Sequence, residues 1–157
     1  MIEELAKTLL TLSLGAAAAL IAWFAFNWIG IPALHARDRR LHALDAVGSN
    51  AYVGSDAPEE RIFQARKALR EAASELRAIG RAHAWPVKAF SDVYGCNFEI
   101  AANALMASAS LSGGDKSYDD DRSMLADIVY YCLGAGSHLT PDRTREIEQK
   151  ILEEGDE

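Results

Sequence analysis

Residues Leu9–Leu34 read LLTLSLGAAAALIAWFAFNWIGIPAL, and the run from Thr8 to Leu34 is 27 residues without a formal charge. Wound as a helix at 1.5 Å per residue it is roughly 40 Å long, enough to cross a hydrocarbon core of about 30 Å with tilt to spare. A soluble core helix of that length needs a polar face, and this one has none. Trp23, Phe24, Phe26 and Trp28 gather towards its C-terminal end, where an aromatic belt meets the headgroups. The stretch therefore reads as one transmembrane helix, and residues 1–36 as an anchor. A cleaved signal peptide would have a basic start and an apolar run of about 7–15 residues. Neither fits Met1-Ile2-Glu3-Glu4 and the run that follows.

The flanks suggest an orientation. Lys7 stands alone before the run, whereas Arg37, Arg39 and Arg40 follow it. The positive-inside rule then places the N-terminus outside an inner membrane and the rest of the chain in the cytoplasm, with the three arginines against anionic headgroups. Within the span Gly15 and Ala19 form a small-xxx-small pair suited to close approach of another membrane helix, and Trp23 and Trp28 complete the expected packing and interface set. Asn27 is placed either to hydrogen-bond across helices or to sit at headgroup depth.

Just past the run, PALHARDRRLHALD (Pro32–Asp45) contains His35-Ala36-Arg37-Asp38 and, seven residues later, His42-Ala43-Leu44-Asp45. Histidine with carboxylate is a ligand pair, which makes His35, Asp38 and His42 candidates for a metal or a proton relay. Yet i, i+7 histidines lie about 10 Å apart along a helix, so a helix leaving the membrane accounts for the repeat without a metal. Residues 37–54 read as a juxtamembrane helix, with Leu34, Leu41, Leu44 and Val47 as its apolar stripe, ending in the turn-rich connector from Val47 to Pro58.

Residues 55–157 read as a compact all-α bundle of about five helices. Ser55 or Asp56 can cap the first, with Pro58, Glu59 and Glu60 in its opening turn. Its Ile62, Ala65, Leu69, Ala72, Leu76 and Ile79 alternate spacings of three and four, a helix-packing seam that could close within or between chains. Trp85-Pro86 breaks it. A short helix with Val87, Phe90, Val93 and Tyr94 facing inward ends at Gly95. Asn97 caps the next, striped by Phe98, Ala101, Ala102, Leu105, Met106 and Ala109. Met124, Leu125, Ile128, Val129 and Cys132 line the following one, and Thr140-Pro141-Asp142 starts the last, with Ile147, Ile151 and Leu152.

The remaining chemistry is thin. The net charge is −7, and past the anchor 15 basic residues face 21 acidic ones, which argues against a nucleic-acid partner. Cys96 and Cys132 read as free thiols of a reducing compartment. Asp119-Asp120-Asp121, with Asp115 and Asp127, lacks the alternating oxygens and glycine of a calcium loop, and acids in a first turn favour the helix dipole. Gly134–His138 (GAGSH) has no preceding strand and no lysine, so it reads as a helix end. His83, His138, Ser91, Ser123 and Ser137 stand alone, Glu99 belongs on a solvent face, and the acidic residues 153–157 form a solvated tail. No cofactor is called for. The expectation is an accessory or scaffold subunit of a larger membrane complex that packs with other membrane proteins and lipids, with a homo-oligomer possible. A membrane-active oligomerising effector and a membrane-surface metal-dependent enzyme are the alternatives.

Overall fold

The computed structural model describes residues 2–81 and 85–155. It is all-α, with no strand among the described residues. A single rod opens the chain: α1 (Ile2–Ala25), a π turn (Phe26–Gly30) and α2 (Ile31–Asn50) run on without a break. Then follow α3 (Glu59–Arg81), α4 (Trp85–Tyr94), α5 (Phe98–Leu111), a 3-10 turn (Lys116–Tyr118), α6 (Asp119–Cys132) and α7 (Pro141–Gly155).

The first half of the rod stands clear of everything else. It holds the one stretch among the described residues long and apolar enough to cross a membrane, at a mean hydropathy of 1.7, and none of its most apolar window is buried. The second half is a core element. Ala36, Ala43, Ala46, Val47 and Asn50 of α2 are buried against α3, with α4 and α6 alongside. This differs from the Leu34–Leu41–Leu44–Val47 stripe expected of a juxtamembrane helix, since Leu34 and Leu41 are both exposed. Small side chains win the inward face because the helix axes pass close together, and alanine leaves room for that. Residues 47–50, expected in a connector, continue the helix through Gly48. No break in the backbone marks residue 36 or 37, so the anchor and the bundle share one helix.

Helix α3 lies between α2 and α5 and uses the expected seam: Ala65, Leu69, Ala72 and Leu76 are buried, with Ile62 and Ile79 partly covered at the ends. Ala73, outside the heptad pattern, is buried as well, because α3 is covered on two sides. The seam closes within the chain. α3 starts at Glu59, directly after Pro58, and the Ile62 N–H bonds the Pro58 carbonyl at 3.1 Å, so the first turn is closed by the backbone. In α4, Pro86 falls in the first turn, where its missing N–H costs nothing, and Val87 is buried while Val93 and Tyr94 are exposed, contrary to the inward face expected of them. Asn97 caps α5 by accepting the Ile100 N–H at 3.2 Å. Thr140 caps α7, accepting the Arg143 N–H at 3.3 Å, and Ile147 is its buried anchor while Leu152 is exposed.

Arginine side chains tie the helix ends down. Arg61 donates to Asn50 Oδ1 and the Ser49 carbonyl at the end of α2. Arg66 donates twice to the Ser112 carbonyl at the end of α5, at 3.0 and 2.7 Å. Arg122, only 1% exposed, reaches the Leu111, Gly114 and Asp115 carbonyls and Asp119 Oδ1. Cations at helix C-termini meet the negative end of the dipole and satisfy carbonyls that have no partner in their own helix. The loop after α2 and the loop after α5 are also zipped together, through Gly113 N–H to Val53 O at 2.8 Å and Ser55 N–H to Gly114 O at 3.1 Å.

Candidate apolar rod and its junction with the bundle

The chemistry available to the chain is easiest to place by following the rod from its exposed end. Thr11 Oγ1 bonds back to the Lys7 carbonyl at 2.8 Å, so a polar hydroxyl is satisfied inside the helix itself. Leu12, Leu14, Leu20, Ile21, Trp23 and Phe24 are all more than half exposed. The face of Gly15 is open, with nothing within 4 Å of where a Cβ would stand. Trp23 packs edge-on against Phe24 at 5.2 Å, and Phe24 reaches Trp28 at 6.4 Å, so the aromatic residues form a collar around one level of the rod. Asn27, expected to bond across helices or at headgroup depth, donates from Nδ2 to the Trp23 carbonyl at 2.8 Å and is satisfied locally.

The π turn lies at this collar. Ile31 N–H bonds Phe26 O, one residue further back than in an α-helix. The cause is two residues on: Pro32 has no N–H for the Trp28 carbonyl, and its ring would crowd that carbonyl in an unbroken α-helix. A proline inside an uncharged helical run is the sequence signal for this turn. Immediately after it the rod enters the bundle, Ala36 being the first fully buried residue.

The three arginines of the expected headgroup set part ways here. Arg40 turns inward: its Nε donates to the Leu133 carbonyl at 2.5 Å, its Nη2 to Gly134 O at 3.2 Å, and its guanidinium sits 5.7 Å over the Tyr94 ring. Arg39 pairs with Glu75 of α3. Arg37 is exposed. The α6 end that Arg40 holds is a Schellman motif, with Ala135 N–H to Tyr130 O, Gly134 N–H to Tyr131 O and Gly134 at φ +63°. GAGSH is thus a helix end, and a Cβ on Gly134 would stand 2.1 Å from the Tyr94 carbonyl oxygen.

The candidate ligands do not converge. His42 Nδ1 lies 2.8 Å from Glu75 Oε2, while His35 and Asp38 are exposed. Burial pushes the Glu75 carboxyl up, but its hydrogen bonds with His42 and Arg39 outweigh that and hold it below the usual carboxylate range. Among the described residues no three His, Cys, Asp or Glu side chains group as a metal site would. Asp119 is taken by Arg122, and Asp127 by Arg143 of α7 at 2.7 Å. Both cysteines are buried and free, and burial lifts both thiols, Cys132 to about 11, so neither is a thiolate nucleophile near neutral pH. His138 packs edge-on to Tyr130 at 5.0 Å and Glu99 is exposed. His83 lies outside the described residues. An open groove of about 580 Å³ between the end of α3, α4 and the start of α5 is lined by Lys88, Asp92 and Glu99 among others.

Arg122 and Pro32 are the consequential residues that sequence reading passed over. Arg122 shares a helix face with Ala126 and Val129, at i, i+4 and i+7, so its place on an apolar stripe was visible. Three of its four acceptors, the carbonyls of a neighbouring helix end and the loop after it, were not. Neither protein-family models, nor curated proteins, nor solved structures give any match to this chain.

Proposed function

We propose that this chain is a single-pass, membrane-anchored helical accessory or scaffold subunit of a larger inner-membrane assembly, without catalytic activity of its own. The observation that carries this reading is the rod. One uninterrupted helix has a bare apolar half, exposed throughout its most apolar window, and a half that forms the core of a bundle. A bare half of that kind needs lipid or other membrane helices around it, and the open Gly15–Ala19 face allows a neighbour to approach closely. The rigid continuation passes the position of that anchor to the bundle, whose acidic surface docks a cytoplasmic partner. The orientation, N-terminus outside and bundle inside, is supported by the arginine bias. That bias acts during insertion, before Arg39 and Arg40 find their partners in the fold.

The test is affinity purification of the tagged chain from its native membrane in mild detergent, read by mass spectrometry and native mass. A stoichiometric set of other membrane proteins is the expected result. A clean homo-oligomer, or a monomer with bound metal, would overturn the reading in favour of the effector or the enzyme.

A further inference from the structure

Helix α4 carries apolar side chains on two flanks. Pro86 and Val87 turn inward, and Phe90 stacks on Phe98 of α5 with 6.4 Å between ring centres. Trp85, Ala89 and Val93 recur every four residues along the other flank. Trp85 is 64% exposed and Val93 78%. Lys88 and Asp92 are exposed beside Trp85 on the same side of the helix.

The position of α4 on the rod decides what covers this flank. α4 touches both α2 and the π turn. Its C-terminal Tyr94 lies at Arg40, ten residues past Gly30, roughly 15 Å along the rod and about the length of α4 itself. The N-terminal end of α4, with Trp85, therefore reaches back to the level of the π turn. That is the level of the exposed collar of Trp23, Phe24, Phe26 and Trp28. Where the rod spans a bilayer, this level is the boundary between acyl chains and headgroups, the zone that indole rings favour.

We propose that α4 is a second, interfacial contact with the lipid surface. Trp85 enters the acyl–headgroup boundary beside the rod, Lys88 and Arg37 meet the headgroups, and Val93 faces the outer edge of that layer. The proposal rests on the anchor reading and adds to it that the bundle is seated on the bilayer, which sets the tilt of the rod.

Tryptophan fluorescence tests it on the full chain. The protein has three tryptophans, Trp23, Trp28 and Trp85. A Trp23→Phe, Trp28→Phe variant leaves Trp85 as the sole indole. It is reconstituted in vesicles of phosphatidylcholine and phosphatidylglycerol spin-labelled near either the carboxyl or the methyl end of the acyl chain. The expected result is a blue-shifted Trp85 emission, quenched severalfold more by the label near the carboxyl end. A sole-indole variant at the far end of the bundle, Phe63→Trp with the three native tryptophans changed to Phe, stays unquenched. If Trp85 is unquenched while a variant keeping only Trp23 is quenched, the α4 contact fails and the anchor stands. If both are unquenched, the anchor fails and takes the α4 contact with it. Trp85 shielded from iodide but unquenched by either label means that a protein surface covers α4, and quenching at residue 63 means that the bundle adsorbs non-specifically. Each of these also overturns the proposal.

Discussion

Arg122 is the residue on which the far end of the bundle depends. It is buried and hydrogen-bonded to three carbonyls and a carboxylate that close the turn between α5 and α6. Replacing it by Ala strands those carbonyls and opens a cavity, so Arg122→Ala should lower unfolding stability by about 3 kcal/mol in chemical denaturation. Arg122→Lys should recover only part of this, since an ammonium cannot span the same fork of acceptors. Ser108 is the reverse case. Its Oγ is fully buried and finds no partner among the described residues. Ser108→Ala should therefore raise stability by about 1 kcal/mol, from the desolvated hydroxyl and from better helix propensity. A measured loss would mean that the hydroxyl is bonded after all.

At the scale of elements, two junctions are open to test. Glu75 joins α3 to α2 through Arg39 and His42. Its carboxyl is held below its ordinary value of 4.5 in the folded chain, so the stability it contributes is present above that value and is lost as pH falls through the lower folded value. Because both partners are about half exposed, the gain is small, about 0.5 kcal/mol. Glu75→Gln should be less stable than the parent at neutral pH, and the gap should close on acidification below about pH 4, as followed by thermal melts across pH. The other junction is the end of α6. At Gly134 the backbone is left-handed and a Cβ would meet the Tyr94 carbonyl oxygen. Gly134→Ala should cost about 2 kcal/mol or more and loosen the α4–α6 contact, seen as faster amide exchange at Asn97, whose N–H bonds Cys132 O.

For the whole molecule the prediction concerns the independence of the two halves of the rod. Leu20 and Ile21 are exposed and touch no part of the bundle core. Leu20→Arg with Ile21→Arg should release the chain from membranes in a sedimentation assay, since each charge costs about 3 kcal/mol at mid-span. It should leave the unfolding transition of the bundle within about 0.5 kcal/mol of the parent. A bundle that unfolds together with release would show that α1 packs on it in the working state.

Composition and periodicity alone determined that the chain is all-α, where its apolar run lies, and most of its core: Leu69, Leu76, Phe98, Leu105, Val129 and Ile147 sit on stripes that any helix must bury. The caps Asn97 and Thr140 were equally legible, because capping is local chemistry. What only the tertiary structure decided is which way a small or long side chain faces. Alanines at 36, 43, 46 and 73 look neutral in sequence and become core only because α2 and α3 pass close together. Arg40, which looks like a surface charge, goes inward because the end of α6, more than 90 residues away, presents bare carbonyls there. Arg122 is satisfied on its apolar stripe only because the end of α5 and the loop after it fold back over it. His35, Asp38 and His42 look like a cluster and do not become one, since Glu75, brought up by α3, takes His42 and Arg39. Val93 and Tyr94 pattern as core yet stay exposed, because α4 packs on the bundle through Pro86, Val87 and Phe90, leaving Val93 outside and Tyr94 at the edge under Arg40. Local periodicity selects the helix, but partners many residues apart select its inner face.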